Sequence, residues 1–519
     1  MQFAIVFPAA ALLGLACLPD TLVNARRKTV RHAVTLIAAI QFWVAVCFAL
    51  GLAAGWIPKW HAVLVGASSA SPIAASIYFD GVASLMLALV SLVGWVICHY
   101  SLRYLDGEVT QGSYFRWTGL TIGSVCLMVV AGNLLLFIVA WVMTSLGLHR
   151  LLLHYGHRPA AQRAAWTKFT ISRIGDISLI TAAALIYSQF KTLEFAELFA
   201  MVRAPVSVTV QMQVAGFLLV LSAITKSAQF PFHTWLPQTM ETPTPVSALM
   251  HAGIVNAGGY LMIRTSPLVA LTPWALTLLA IVGGVTACFA AVVMLTQTSV
   301  KKSLAYSTIA QMGFMLLQCG IGAYTAAMLH ILAHSLYKAH AFLSSGSVIA
   351  DRVGTSGASP ALHHLPWIKL AALGLTLIAF LSISLASFGI NPMAKPGGLL
   401  LGGILCLALT HWNSQVMRSG NRRLWIRSLV YAGGLCLVYS ASFALVDRFI
   451  SPSLPAAVPE KFWLVAGFVT TSFLGLLILQ AALASGRSIA LLNRWHIHAA
   501  NGFYVESMLR RVFGPLLSS

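Results

Sequence analysis

Long apolar stretches, each about as long as a membrane-crossing helix, recur along this chain with short polar connections between them. They lie near residues 2–18, 33–55, 78–100, 117–131, 133–153, 167–189, 211–232, 243–264, 272–296, 303–323, 325–349, 366–390, 397–413, 425–447 and 462–485. A spanning helix needs roughly 20 apolar residues, whereas barrel strands are short and alternate. These runs are continuous, so the backbone can be satisfied inside each segment. The pattern predicts an all-α polytopic membrane protein of about fifteen transmembrane helices.

Composition sharpens this. Hydrophobic residues make up 59% of the chain and charged residues 8%, against about 25% charged in a soluble domain, which excludes a cytosolic globular protein. The 32 basic and 12 acidic side chains give a formal charge of +20. On one exposed face that charge would suggest nucleic acid. Here it falls in short clusters between apolar runs, so membrane lipid is expected and nucleic acid is not. Threading the runs alternately puts 21 basic residues, Arg26, Arg150, Arg158, Arg163 and Lys168 among them, in one set of loops. The other set holds 7, Arg264 among them. The bias predicts an inner-membrane protein with a cytoplasmic C-terminus.

Arg173, Lys226, Lys338 and Lys369 remain inside spans. A charge at bilayer depth costs at least ~2.5 kcal/mol and tends to face a bundle interior or water. Lys369 is near enough to a helix end to snorkel. The eight cysteines lie singly in apolar stretches, without the spacing of a disulfide framework or metal centre. The first run ends at Pro19-Asp20 without a small-residue cleavage pattern, so it is expected to stay as a helix. Residues 486–519 form a short basic tail, expected to lie along the interface or dock on a partner.

The stretch TKSAQFPFHTWLPQTMETPTPVSALMHAG follows the seventh run. Lys226 is succeeded by Pro231, Pro237, Pro243 and Pro245, so its helix is predicted to break just beyond it. Broken helices with freed carbonyls line ion sites in transporters. His251, eight residues past Pro243, can pass a proton near neutrality. His330, His334 and Lys338 recur every four residues on one helix face, and His340 lies on another. Two histidines at this spacing could bind a metal, but no cysteine or carboxylate lies nearby in sequence to complete a shell. A water-linked chain of titratable groups is the reading preferred. Asp80 and Asp176 are the acids within spans. Arg173 can pair with Asp176 three residues on, either as a gate or as a bridge that only makes the arginine tolerable.

These residues resemble the antiporter-like, proton-translocating membrane subunits shared by respiratory complex I and Mrp-type cation/proton antiporters. The resemblance is carried by YFDGVASLML around Asp80, GNLLLFIVAW at 132–141, SRIGD at 172–176, TKSAQFPFHTWLP at 225–237, PTPVSALMHAG at 243–253, KKSLAYSTIAQMGFM at 301–315 and HSLYKAHAFLSSGSVI at 334–349. It implies a core of two inverted five-helix repeats with broken helices over residues 111–415. N-terminal helices would occupy 1–110, and C-terminal helices with a short tail 416–519. By position, Lys226 matches the family's broken-helix lysine, His251 its bridging residue, and His330, His334 and Lys338 its second-half relay. Asp80, Arg173 and Asp176 fall on family motifs too.

Three features depart from the family. Val142 follows Trp141 where a glutamate is usual. The expected lysine-containing break of the twelfth span reads SFGINPMAKPGG, with Ser387 before Pro392 and Lys395 beyond. No long lateral helix is foreseen after residue 486. The chain is in this respect similar to the membrane subunit of the DabA–DabB type of inorganic carbon transporter. That resemblance implies a large soluble zinc-binding partner (DabA-like), with a site resembling a β-type carbonic anhydrase. It also implies a transporter subunit rather than an enzyme, with no cofactor in this chain and protons driving the partner. Two other readings stay open: a proton-pumping subunit of an NADH-quinone oxidoreductase or Mrp-type antiporter, and a non-conducting membrane anchor.

Overall fold

The computed structural model describes residues 2–65, 75–204, 207–346, 367–391, 396–418, 421–455, 462–484, 490–509 and 511. Pro392 and Lys395, on which the twelfth-span break rests, lie outside them, as do Arg352 and Lys461.

Among the described residues the apolar runs form mainly helices and broken helices. In chain order these are α1 (Phe7–Ala16), a short α2 (Asp20–Ala25), α3 (Arg27–Ala53), α4 (Gly81–Tyr104), α5 (Gln111–Val130), α6 (Leu134–Leu152), α7 (Pro159–Phe190), α8 (Phe195–Met201) and α9 (Val210–Lys226). After a break come α10 (Trp235–Gln238), α11 (Thr244–Ala252), α12 (Ala257–Arg264) and α13 (Ser266–Val269). Then follow α14 (Pro273–Met294), α15 (Val300–Gly320), α16 (Tyr324–Leu343), α17 (Trp367–Ser387), α18 (Pro396–Arg418), α19 (Arg422–Ile450), α20 (Phe462–Ala484) and α21 (Ala490–Ala500). Among the described residues, eight helices are long and apolar enough to cross a membrane. Polar groups such as Gln318, His330 and His334 interrupt the apolar surface of α15 and α16.

Polar residues set where helices start. The Asp80 carboxylate accepts the Ala83 amide at 2.9 Å, Asn133 accepts Leu136 N at 2.7 Å, and Thr209 accepts Met212 N at 3.2 Å. Each satisfies an amide that the first helical turn leaves without a partner.

Among the described residues the helical expectation holds apart from one hairpin, β1 (Trp60–Val65) and β2 (Ala75–Phe79), paired antiparallel with Trp60 opposite Phe79. Its β-branched and aromatic residues lie between two apolar runs, and the strand Ala75–Phe79 overlaps the start of the third. The hairpin is pinned to the heads of α6 and α8, because Gly132 N donates to Ser76 O at 2.8 Å and Phe195 N to Gly132 O at 2.8 Å. Beneath it, buried Glu194 accepts from Ser76 Oγ at 2.6 Å and Asn133 Nδ2 at 3.0 Å, and pairs with His61 Nε2 at 2.8 Å.

One apolar core joins α1 through α16, and a second joins α17 through α20 to the outer side of α14 and α15. Helices α14 and α15 pack backbone against backbone. A Cβ on Gly283 would stand 2.5 Å from Leu317 N, and one on Gly313 would stand 2.6 Å from Ala287 N. Small residues let two backbones approach where lipid supplies no hydrophobic drive. The described part of the tail docks on its own chain, with the Phe503 ring 5.7 Å from that of Phe289.

Candidate functional site

Lys226 is the last residue of α9, and the helix ends there by a turn rather than by proline alone. Ala228 takes a left-handed φ of 50°, which lets Gln229 N reach back to Ile224 O at 3.0 Å. Short helical pieces follow before α11 begins, so the predicted break is present. The side chain is only 5% exposed. Its Nζ donates to Trp141 O at 3.1 Å and Ser145 Oγ at 3.3 Å. It also lies 4.3 Å from the centre of the Trp141 ring, a cation–π contact.

A carboxylate from another helix stands near the Lys226 site. The Trp141 indole donates to Asp176 Oδ1 at 2.9 Å, and Asp176 Oδ2 lies 2.6 Å from Arg173. The Arg173–Asp176 pair expected from spacing is therefore formed, and the indole stands between that carboxylate and the lysine.

Sequence reasoning missed the next member. The sequence places Lys168 among the loops of the basic-rich set, yet α7 starts at Pro159, well before the apolar run, and the lysine is 2% exposed. Its Nζ donates to Ser145 O at 2.8 Å and Ser145 Oγ at 3.0 Å. The available signal was its position eight residues before Asp176, close to the same helix face.

The second half is also assembled. His251 on α11 is fully buried, its Nδ1 3.1 Å from Thr308 Oγ1 on α15, and it stacks on Phe342 at 4.3 Å. His334 Nε2 lies 3.3 Å from the His251 carbonyl oxygen, and the His330 and His334 rings are 6.0 Å apart. His330 Nδ1 pairs with Gln318 Oε1 at 3.0 Å. Lys338 donates to Ser307 Oγ at 2.8 Å and Leu304 O at 3.1 Å. The three residues of α16 thus turn one face toward α11 and α15, as the four-residue spacing predicted. Among the described residues no direct hydrogen bond joins Lys226 to His251.

Asp80 is set apart from this file. Arg264, read from sequence as an outer-loop residue, is 3% exposed and grips it with two bonds, NH1 to Oδ2 at 3.1 Å and NH2 to Oδ1 at 3.0 Å. Tyr260 Oη accepts from the same guanidinium at 3.2 Å. The arginine ends α12, and the partners meet across 184 positions of chain.

The transmembrane family model of NADH:quinone oxidoreductase and Mrp antiporter subunits matches residues 131–391, and that of the complex I chain 5 N-terminus matches residues 67–115. A protein of Halothiobacillus neapolitanus named a probable inorganic carbon transporter subunit, DabB2, is 37% identical over 490 residues, covering 92% of this chain and 85% of its own. Subunit L of the Escherichia coli NADH-quinone oxidoreductase is 33% identical over 81% of this chain and 67% of its own. A chain of the Mrp complex from Dietzia sp. DQ12-45-1b shares the fold, with a TM-score of 0.61 at 24% identity, covering 99% of this chain and 62% of that one. Matched over half its length by one family model and over nearly all of it by a DabB relative, the chain belongs to the antiporter-like membrane-subunit family of NADH:quinone oxidoreductases and Mrp antiporters, which also takes in the DabB proteins.

Proposed function

We propose that this chain is the membrane subunit of an energy-coupled inorganic carbon uptake complex, and that it conducts protons to drive a soluble partner of the DabA type. The observation that carries the reading is the Lys226 site. A buried amine ends a fractured helix, where carbonyl and hydroxyl oxygens hold it and the carboxylate stands behind an indole. Such a group can take up and release a proton without rupturing a strong ion pair. Lys226, His251, His330, His334 and Lys338 form the file, and Asp176 with Arg173 tunes its first member. Asp80 with Arg264 acts as a fixed pair at the head of α4.

One charge falling through 100 mV releases about 2.3 kcal/mol. Coupled to carbon dioxide hydration, that release would make the reaction run one way, so that bicarbonate accumulates. The partner would supply the catalysis and a zinc site, and this chain the coupling, with no cofactor of its own. An inner-membrane location with the C-terminus in the cytoplasm goes with the reading, supported by the basic bias of the loops. So does a core of two inverted repeats over residues 111–415.

Lys226→Ala should abolish carbon accumulation by cells while the chain still reaches the membrane in normal amount. Normal uptake by that variant would remove the proton-conducting role and leave a membrane anchor. The 33% identity to subunit L favours a second reading, a proton-pumping subunit of an oxidoreductase or Mrp assembly. Co-purification decides between them: a large zinc-containing subunit supports the first, and quinone-reductase or Mrp subunits the second.

A further inference from the structure

The buried Lys168 is unused by the file described above, and its geometry ties it to that file. Ser145 Oγ lies 3.0 Å from Lys168 Nζ and 3.3 Å from Lys226 Nζ, so one hydroxyl touches both amines. The hydroxyl sits on α6, Lys168 on α7 and Lys226 on α9, so three separate helices converge on it. Trp141, whose carbonyl holds Lys226, precedes Ser145 by one helical turn, and the Ser145 carbonyl holds Lys168. The two lysines are therefore cradled by successive turns of a single helix.

We propose that Lys168 and Lys226 form a two-lysine proton shuttle bridged by the Ser145 hydroxyl, extending the file toward the end of the protein that carries Arg150, Arg158 and Arg163. The proposal rests on the proton-conducting reading of Lys226. Its steps balance. An N–H bond of the Lys226 ammonium breaks as an O–H bond forms on Ser145. In the same concerted movement the hydroxyl's own O–H bond breaks as an N–H bond forms on the neutral Lys168 amine. One proton has moved one residue along, and no other reactant is consumed.

Electrostatics favours a single mobile proton on the pair. The charged groups around it are Arg173 and Asp176 on α7. The carboxylate is engaged by the Trp141 indole and lies against Arg173. With both lysines charged, three cations, two of them enclosed amines sharing one hydroxyl, would face that one carboxylate, and like charges at this spacing repel. Where a carboxylate partner would trap the Lys226 proton, a second amine passes it on. The direction of travel is also set by the chain. His149 lies one turn beyond Ser145 on α6, and its Nδ1 is 3.3 Å from the carbonyl oxygen of Ala165, one turn before Lys168. A titratable group thus waits on the far side of the pair.

Arginine separates a shuttle from a prop, because it keeps the charge and the donors but does not release its proton in a protein. The full chain is purified with whatever subunit accompanies it and reconstituted in liposomes holding a pH-sensitive dye. A potassium diffusion potential then drives proton entry. Variants are compared at equal incorporation, with assembly checked by the yield of the accompanying subunit. Lys168→Met, Lys168→Arg and Ser145→Ala should each lower proton flux by roughly a hundredfold, the scale of a lost proton-transfer group. Flux restored by Lys168→Arg would show a purely positioning role and overturn the shuttle, as would normal flux in Lys168→Met. Lys226→Ala serves as the reference: if it still conducts, the reading beneath this one fails, whereas loss of flux in Lys226→Ala alone sinks only the shuttle.

Discussion

Two kinds of buried ionic group coexist in this protein, and they differ in how completely they are neutralised. Asp80 and Arg264 satisfy each other with two hydrogen bonds and are both almost fully enclosed. Removing one partner of such a pair leaves an uncompensated charge and costs about 3–5 kcal/mol. Arg264→Met should therefore destabilise the chain by that amount in a detergent melt. The double variant with Asp80→Leu should lose less than the sum of the two singles; strict additivity would show that the pair does not act as a unit. Lys226 and Lys168 are held instead by neutral oxygens, which suits groups that change charge. The candidate lysine at 226 was legible because prolines follow it, and the α16 relay because its spacing matches a helical turn. Lys168 was not legible, since an apolar run fixes a helix end only to within a few residues and a lysine at the edge reads as loop. Arg264 was hidden for another reason: its partner lies on a distant helix, and no local pattern announces a contact across that much chain.

The helices themselves were legible, because each apolar run exceeds what a connection could hold. The hairpin was not, since its strands are short and the second merges into an apolar run. It is fastened by a polar knot around Glu194. Burial alone would raise this carboxyl, but the hydrogen bonds from His61, Ser76 and Asn133 outweigh burial and hold it below the usual carboxylate value. A depressed value means that the native state binds the proton less well than the unfolded one. The knot's contribution is thus complete above the unfolded value and is lost as pH falls through the native one. Acidification below about pH 4 should loosen the hairpin, visible as a change in Trp60 fluorescence measured with the other tryptophans unaltered and a Trp60→Phe control. Glu194→Gln should lack that acid transition; a variant that keeps the same profile would move its origin elsewhere.

At the level of the whole molecule, the basic bias of the loops predicts a cytoplasmic C-terminus, and a fusion reporter tests this directly. Green fluorescent protein at the C-terminus should fluoresce, and alkaline phosphatase at the same place should be inactive; the reverse pattern would invert the topology. The glycine seam has a further bearing on how such a protein can work. Where Gly283 and Gly313 bring α14 and α15 backbone to backbone, neither rod can roll or slide without collision, since no side chain there can bend aside. These two rods, one of them carrying Thr308 and Ser307 of the relay, behave as a stiff plank. Under the proton-conducting reading, gating beside that plank falls to rotamers and hydrating molecules, and any larger rocking to the fractured segments between α9 and α12.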